Sequence, residues 1–303
     1  MNGLLLLSSD DRRRYAEDIQ TALALPEGGI IQFRYRMRWV APALQDAVRH
    51  QQVVGAVAVL GFVRADRHEP FVLPVRYATV VKADVVADMV IFQLRVRGYP
   101  NLELYPPSFA EIVEMSRGVI GQLKRRGKFY PATSSFPAMP DEVLEDAPRR
   151  WLSAARLLAL HPTFKDSYFL RVAPVETTRR KLVLDAQGRI TTVNDESLRI
   201  TTYVFAESYQ PDAEFTLTCS TDGANLRVAS DNLYRVALRY DSVEFWLHSA
   251  GQTDDTSSLV TISLASEKNG ARTVAANVRL PVVVRRSKSR GLRRWAAVFS
   301  SPK

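Results

Sequence analysis

Cysteine is almost absent from this chain of 303 residues: Cys219 stands alone, so no intramolecular disulfide can form. That excludes a small secreted scaffold stapled by disulfides. Histidine is scarce as well. His50, His68, His161 and His248 are scattered, and no HxH, HExxH or CxxC spacing offers a metal site. Long apolar runs are missing. The opening run, Leu4 to Leu7, is shorter than the apolar part of a secretion signal and no basic stretch precedes it. Nothing approaches the roughly 18–20 apolar residues of a membrane span. A cytoplasmic address is therefore expected. No GxSxG elbow, P-loop or GxGxxG occurs, so no catalytic residue, no metal and no cofactor is expected.

What is present is ordinary globular composition. Apolar residues make up 46% and charged residues 24%, which supports a sizeable core and argues against disorder throughout. The length points to two domains. The net charge of +9 is unevenly placed. Residues 1–150 carry 20 basic and 17 acidic side chains, residues 151–280 carry 14 and 15, and residues 281–303 carry 7 and none. The body is nearly neutral, and the tail is the strong electrostatic feature.

The expected fold class is α+β. Residues 1–128 read as an α/β domain with a mixed sheet, opening on a strand–helix–strand unit. Gly3 to Leu7 is a short buried-strand run, and Ser8 or Ser9 is placed to cap a helix continuing with Asp10 and Asp11. Tyr15, Ile19, Ala22 and Leu23 give that helix one apolar face, and Pro26 with Gly28-Gly29 stops it. From Ile30 to Val40 apolar and polar residues alternate as on a strand. Such a unit usually makes a crossover between parallel strands. A short helix near Pro42 precedes three antiparallel runs, Val53 to Val63, Phe71 to Val81 and Met89 to Arg97. Ser108 and Glu111 form a capping box for a helix reaching Gly127.

Residues 129–162 read as a proline-containing linker followed by a helix from about Pro148 to Leu160. Residues 163–284 show short alternating runs between turn signals, including Asp185 to Gly188, and read as an antiparallel β-sandwich of eight to ten strands. A basic amphipathic tail, residues 285–303, closes the chain.

Three groups of residues carry functional signals. The tail brings together Arg285, Arg286, Lys288, Arg290, Arg293 and Arg294, with Leu292, Trp295 and Phe299 at helical spacing. A helix of about ten residues is marginal alone and needs a surface to fold on. That surface is a partner's groove, the protein's own body or a polyanion; a membrane surface is the least favoured, and a solvated terminus is the bland alternative. The second group is Arg34, Arg36 and Arg38 on one strand and Arg95 and Arg97 on another. If the two strands are neighbours, like charges oppose one another unless an anion relieves them, which would suit an anion-binding or phosphate-tracking face. If they lie apart, each simply shows its polar face to water. Lys124, Arg125, Arg126 and Lys128 form a third run, where a helix C-terminus favours cations.

Cys219 shares a strand face with Phe215 and Leu217 and reads as a buried, inert thiol. The resulting expectation is a non-catalytic scaffold or adaptor subunit of a larger assembly. It would dock a protein partner through the tail and the sandwich surface. The alternative is a nucleic-acid-binding subunit using the tail and the arginine-faced strands. A second alternative is an enzyme whose site is assembled from residues distant in sequence.

Overall fold

The structure is a computed structural model describing residues 3–9, 13–64, 71–100, 102, 134–136, 148–164, 167–207, 214–235, 240–249, 255–268 and 271–286. Among these residues the chain is mostly β, with three α-helices and mixed, curled sheets.

The first sheet has the order β2-β5-β4-β3-β1-β6, formed by β1 (Gly3–Ser9), β2 (Ile30–Arg36), β3 (Val57–Arg64), β4 (Phe71–Val86), β5 (Met89–Val96) and β6 (Ser134–Phe136). The expected parallel pairing of β1 with β2 does not occur. The parallel neighbour of β1 is β3, and β2 pairs antiparallel with β5 at the far edge. Strand adjacency is a non-local choice, so a local strand–helix–strand pattern could not reveal it. β6 arises inside the stretch read as a linker and pairs antiparallel with β1.

β4 is long enough to change partners along its length, pairing β3 through Phe71 to Thr79 and β5 through Ala78 to Val86. Register shifts at Leu60/Gly61 and Val80/Lys82 mark bulges, which bend strands and curl sheets. A Cβ at Gly61 would meet Leu7 Cδ2 at 2.8 Å, so any larger residue there displaces the Leu7 side chain at the β1–β3 contact. The curl brings β2 back toward β1, where the Tyr35 hydroxyl donates to the Leu7 carbonyl at 3.0 Å.

α1 (Arg13–Ala24) buries Ile19, Ala22, Leu23 and Ala24, the face expected from the 3.6-residue period. It ends before Pro26, and the chain then pairs through Gly28 and Gly29 with Val96. Ser8 and Ser9, the two cap candidates, belong to β1, and the Ser8 hydroxyl donates to the Tyr15 carbonyl at 3.0 Å; Asp10 and Asp11 lie outside the described residues. A 3-10 turn, Met37–Trp39, replaces the end of the predicted strand, and α2 (Pro42–Arg49) follows.

α3 (Pro148–Ala159) buries Trp151, Ala154, Ala155, Leu158 and Ala159 and contacts β4. Beyond it lie ten strands among the described residues. One sheet is β12-β14-β10-β7 with β8 on β10, made of β7 (Tyr168–Val172), β8 (Glu176–Thr177), β10 (Ser197–Ala206), β12 (Leu226–Val228) and β14 (Tyr240–Ser249). The other is β13-β11-β15-β16-β9, made of β9 (Ile190–Val193), β11 (Glu214–Thr221), β13 (Leu233–Arg235), β15 (Thr256–Lys268) and β16 (Ala271–Arg285). The second sheet departs from the antiparallel expectation, because β9 runs parallel to the end of β16.

Tyr168 of β7 meets Phe215 of β11 at 4.4 Å between ring centroids, joining the two sheets. Buried residues of every sheet fall in one hydrophobic cluster, and a fully buried Leu or Phe contributes about 1.5–3 kcal/mol. α1 links the sheets, touching β1, β3 and β4 of the first and β7 and β16 of the other two.

Candidate functional site

A cationic concavity opens where the curled first sheet, α1 and the 3-10 turn meet. It is a cleft of about 250 Å³ lined by Leu7 and Ser8, by Arg14, Tyr15 and Asp18 of α1, by Phe33 to Arg36 of β2, by Arg38 and Trp39, and by Met89. β2 is an edge strand, so residues of both its faces reach the cleft. Phe33 and Tyr35 are buried, whereas Arg34 and Arg36 are exposed.

Local hydrogen bonds hold the rim in place. The Met37 amide donates to the Asp88 carbonyl at 2.5 Å, which anchors the 3-10 turn to the β4–β5 turn. From α2, the Gln45 side-chain amide donates to the Met37 and Val40 carbonyls at 3.3 and 3.1 Å. Arg38 and Trp39 are thus presented from a turn tied at both ends. The Tyr35–Leu7 bond ties β2 to β1 beneath them.

The side chains of four arginines line this space, and among the described residues only Arg36 has a carboxylate within 4.0 Å. Arg14 lies 5.4 Å from the Tyr15 ring centroid, and Arg38 lies 4.7 Å from that of Trp39. A guanidinium stacked on an aromatic face keeps its in-plane N–H groups free to donate. Arg34 donates to Gln32 at 3.3 Å, and Arg36 stands 4.0 Å from Asp88 with both side chains more than half exposed, a weak pairing. The one carboxyl lining the cleft is Asp18. Burial pushes its pKa up to about 6, against the opposing pull of Arg14 and Arg34 and with a small addition from Glu17. Burial, reinforced by Asp18 and Tyr15, holds the Tyr35 phenol well above its ordinary value, so it stays a neutral donor.

The structure brings Arg34, Arg36 and Arg38 to one place but leaves Arg95 and Arg97 outside it. β2 and β5 are neighbours, yet their antiparallel register sets Arg34 against Ile91, Arg36 against Met89 and Arg95 against Ile30. The two arginine groups therefore stand about 13 Å apart along the strands, and like charges never oppose one another. Arg38 belongs to the 3-10 turn, not to the strand face. Arg95 donates to the Ala186 carbonyl at 3.1 Å, and Arg97 lies 4.0 Å from Glu27.

Arg14, Asp18 and Trp39 were missed in the sequence. Their signal was the i, i+4 spacing of Arg14 and Asp18 on α1, off its apolar face. In the tail, Arg285 ends β16 and the Arg286 amide donates to Asp255 at 3.0 Å. Lys288, Arg290, Leu292, Arg293, Arg294, Trp295 and Phe299 lie outside the described residues, as do Lys124, Arg125, Arg126, Lys128 and the helix expected from Ser108.

Two further arginines are almost fully buried, Arg76 of β4 and Arg171 of β7. They flank the Tyr99 ring at 4.0 and 5.7 Å from its centroid. Arg76 also donates to the Ala22, Leu23 and Leu25 carbonyls at the end of α1, at 3.1, 3.3 and 2.7 Å. These are helix-terminus and joint-forming contacts, and neither guanidinium lines the cleft. Among the described residues no three His, Cys, Asp or Glu side chains gather as a metal requires, and no helix is long and apolar enough to cross a membrane.

No family model matches the chain, and no curated protein matches it. Among solved structures it is similar to the periplasmic chaperone SfaE, at 8% identity and a TM-score of 0.24, over 37% of this chain and 58% of the chaperone. It is also similar to a conjugative transposon lipoprotein from Bacteroides eggerthii, at 10% identity and a TM-score of 0.23, over 38% of this chain and 95% of the lipoprotein. This chain thus spans little more than half of the chaperone. Likenesses this distant carry no argument about function.

Proposed function

We propose that this protein is a non-catalytic adaptor or scaffold subunit that docks an acidic segment of a protein partner in its arginine cleft. The observation that carries the reading is the gathering of Arg14, Arg34, Arg36 and Arg38 around a space that holds a single, half-buried carboxyl. Planar guanidinium forks match carboxylates and other oxyanions bidentately, and aromatic side chains beside them supply the apolar contact that dominates interface energy. The basic tail from Arg285 to Phe299 is a second proposed docking element. We read residues 1–128 as an α/β domain, residues 129–162 as its connection and residues 163–284 as a sandwich, working in the cytoplasm.

A single docking point is favoured over a nucleic-acid track. Arg95 and Arg97 lie outside the cleft, so among the described residues its basic lining is a spot, whereas a tracked phosphate backbone needs a continuous row. The discriminating experiment is fluorescence anisotropy of the full-length protein with a labelled glutamate-rich peptide and with labelled single- and double-stranded DNA and RNA, across a salt series. The adaptor reading expects peptide binding that weakens about tenfold in an Arg34→Ala/Arg38→Ala variant. Nucleic-acid binding with a steep salt slope, lost when Arg290, Arg293 and Arg294 are replaced by alanine, would move the assignment to the alternative.

A further inference from the structure

We propose that the group seated in the cleft is a phosphoryl oxyanion on the partner segment, bound by Arg14, Arg34 and Arg38 with Asp18 as an internal competitor that must take up a proton before the anion can enter. The proposal rests on the cleft being the docking site, and it adds both the chemistry of the ligand and the condition for binding.

The argument begins with the number of donors. Each guanidinium carries five N–H groups, and among the described residues Arg14 and Arg38 pair with aromatic rings and with no carboxylate. Arg34 spends one contact on Gln32. One carboxylate, with two oxygens, leaves such a set largely unused. A phosphate monoester offers three strongly accepting oxygens and up to two charges, which suit three arginines lining one cleft. The rings of Tyr15 and Trp39 line the same space and suit the stem that bears the phosphate.

Asp18 stands in the way. It lines the cleft without an ion pair within 4.0 Å among the described residues, although cations flank it on two elements. The charged and titratable groups around it are Arg14, Tyr15 and Glu17 on its own helix, Arg34, Tyr35 and Arg36 on β2, and Arg38 on the 3-10 turn; β1 contributes Leu7 and Ser8, and β5 contributes Met89. An ionised Asp18 competes with any incoming anion for Arg14 and Arg34 and repels it. Protonated, it no longer draws on the positive field of Arg14 and Arg34 and becomes an O–H donor toward the anion. Burial has already moved this carboxyl toward neutrality, so the proton is taken up within the range a cell samples.

The test is titration calorimetry on the full-length protein with phenyl phosphate, phenyl sulfate and benzoate between pH 5 and 8. Phenyl sulfate keeps one charge throughout, so its pH profile reports the protein alone, whereas phosphate has its own ionisation near pH 6. The expected result is that phenyl sulfate affinity falls about tenfold per unit above pH 6 in the wild type and is flat in Asp18→Asn. At pH 8 the variant then binds about 100-fold more tightly than the wild type. Phenyl phosphate is expected to bind more tightly than benzoate. A pH-independent phenyl sulfate affinity, equal in Asp18→Asn, overturns the proton gate while leaving the docking reading standing. Benzoate binding as tightly as phenyl phosphate overturns the phosphoryl assignment. If none of the three probes binds and the glutamate-rich peptide also fails, the docking reading falls with it.

Discussion

The Arg76 guanidinium and the Tyr99 hydroxyl converge on one carbonyl, that of Leu23, at 3.3 and 2.7 Å. The guanidinium carbon also lies 4.0 Å from the Tyr99 ring centroid, and its Nη1 donates to the Tyr99 oxygen. Leu23 is in the last turn of α1, where carbonyls lack helical partners and carry negative partial charge. A strand residue and a loop residue thus close the helix that joins the sheets. Replacing Arg76 by alanine removes those donors and opens a cavity, with an expected cost of about 3–5 kcal/mol. Tyr99→Phe keeps the ring and loses the hydroxyl, costing about 1–2 kcal/mol. Urea unfolding measures both, and equal values for the two variants would contradict this account.

A second prediction concerns the turn that docks one half of the molecule on the other. Gly188 has φ +73°, and a Cβ there would meet Ile30 Cγ1 of β2 at 2.6 Å. Gly188→Ala is expected to destabilise by about 1–3 kcal/mol through strain and overpacking together. Substituting Gly55 (φ +80°), whose Cβ would meet nothing within 4 Å, isolates the backbone strain. A Gly55→Ala cost as large as that of Gly188→Ala would remove the packing component.

The same turn predicts a pH dependence. Burial raises the Asp185 carboxyl pKa, but the amides of Arg189 and Gln187 and the Arg189 side chain outweigh it and leave the pKa below its ordinary 3.8. The folded state therefore favours the charged form. Its contribution is fully present above about pH 4 and is lost as pH falls through the depressed folded value. Asp185→Ala is expected to cost about 1–2 kcal/mol at pH 7, with the deficit shrinking in acid. A deficit unchanged down to pH 2.5 would sink the assignment.

Cys219 supplies a fourth, independent check. Burial pushes its thiol up to about 12, and it lies between β13 and β15 with its side chain buried. A disulfide-exchange reagent at pH 8 should label it only at the rate of unfolding, with full reaction in denaturant. Because the raised pKa favours the neutral thiol in the fold, stability should decline as pH rises above about 9, where the unfolded chain ionises. Rapid labelling of the native protein would show the strand face to be open.

Local pattern carried much of the fold. The apolar face of α1, the stop at Pro26 and Gly28-Gly29, the helix at Pro148–Ala159, the Asp185 to Gly188 turn and the burial of Cys219 each depend on near neighbours in the chain. The cleft was half legible. Arg34, Arg36 and Arg38 stood out as a run of one charge, while Arg14 and Asp18 looked like ordinary helix surface. Arg76 and Arg171 left a fainter trace, each a lone charge inside an apolar strand run, a pattern that calls for buried partners.

What the sequence determined by itself was the periodicity of its elements, the near neutrality of its body and the identity of the side chains offered on each face. Tertiary structure decided which strands meet and in what register. It placed β1 beside β3, ran β9 parallel to β16 and set Arg95 four positions from Arg34 along the β2–β5 ladder. It also curled the first sheet until Arg14 and Asp18 of α1 faced the arginines of β2. The physical reason is range. Propensity, capping and alternation act between residues a few positions apart, whereas register and curl depend on packing between segments far apart in the chain.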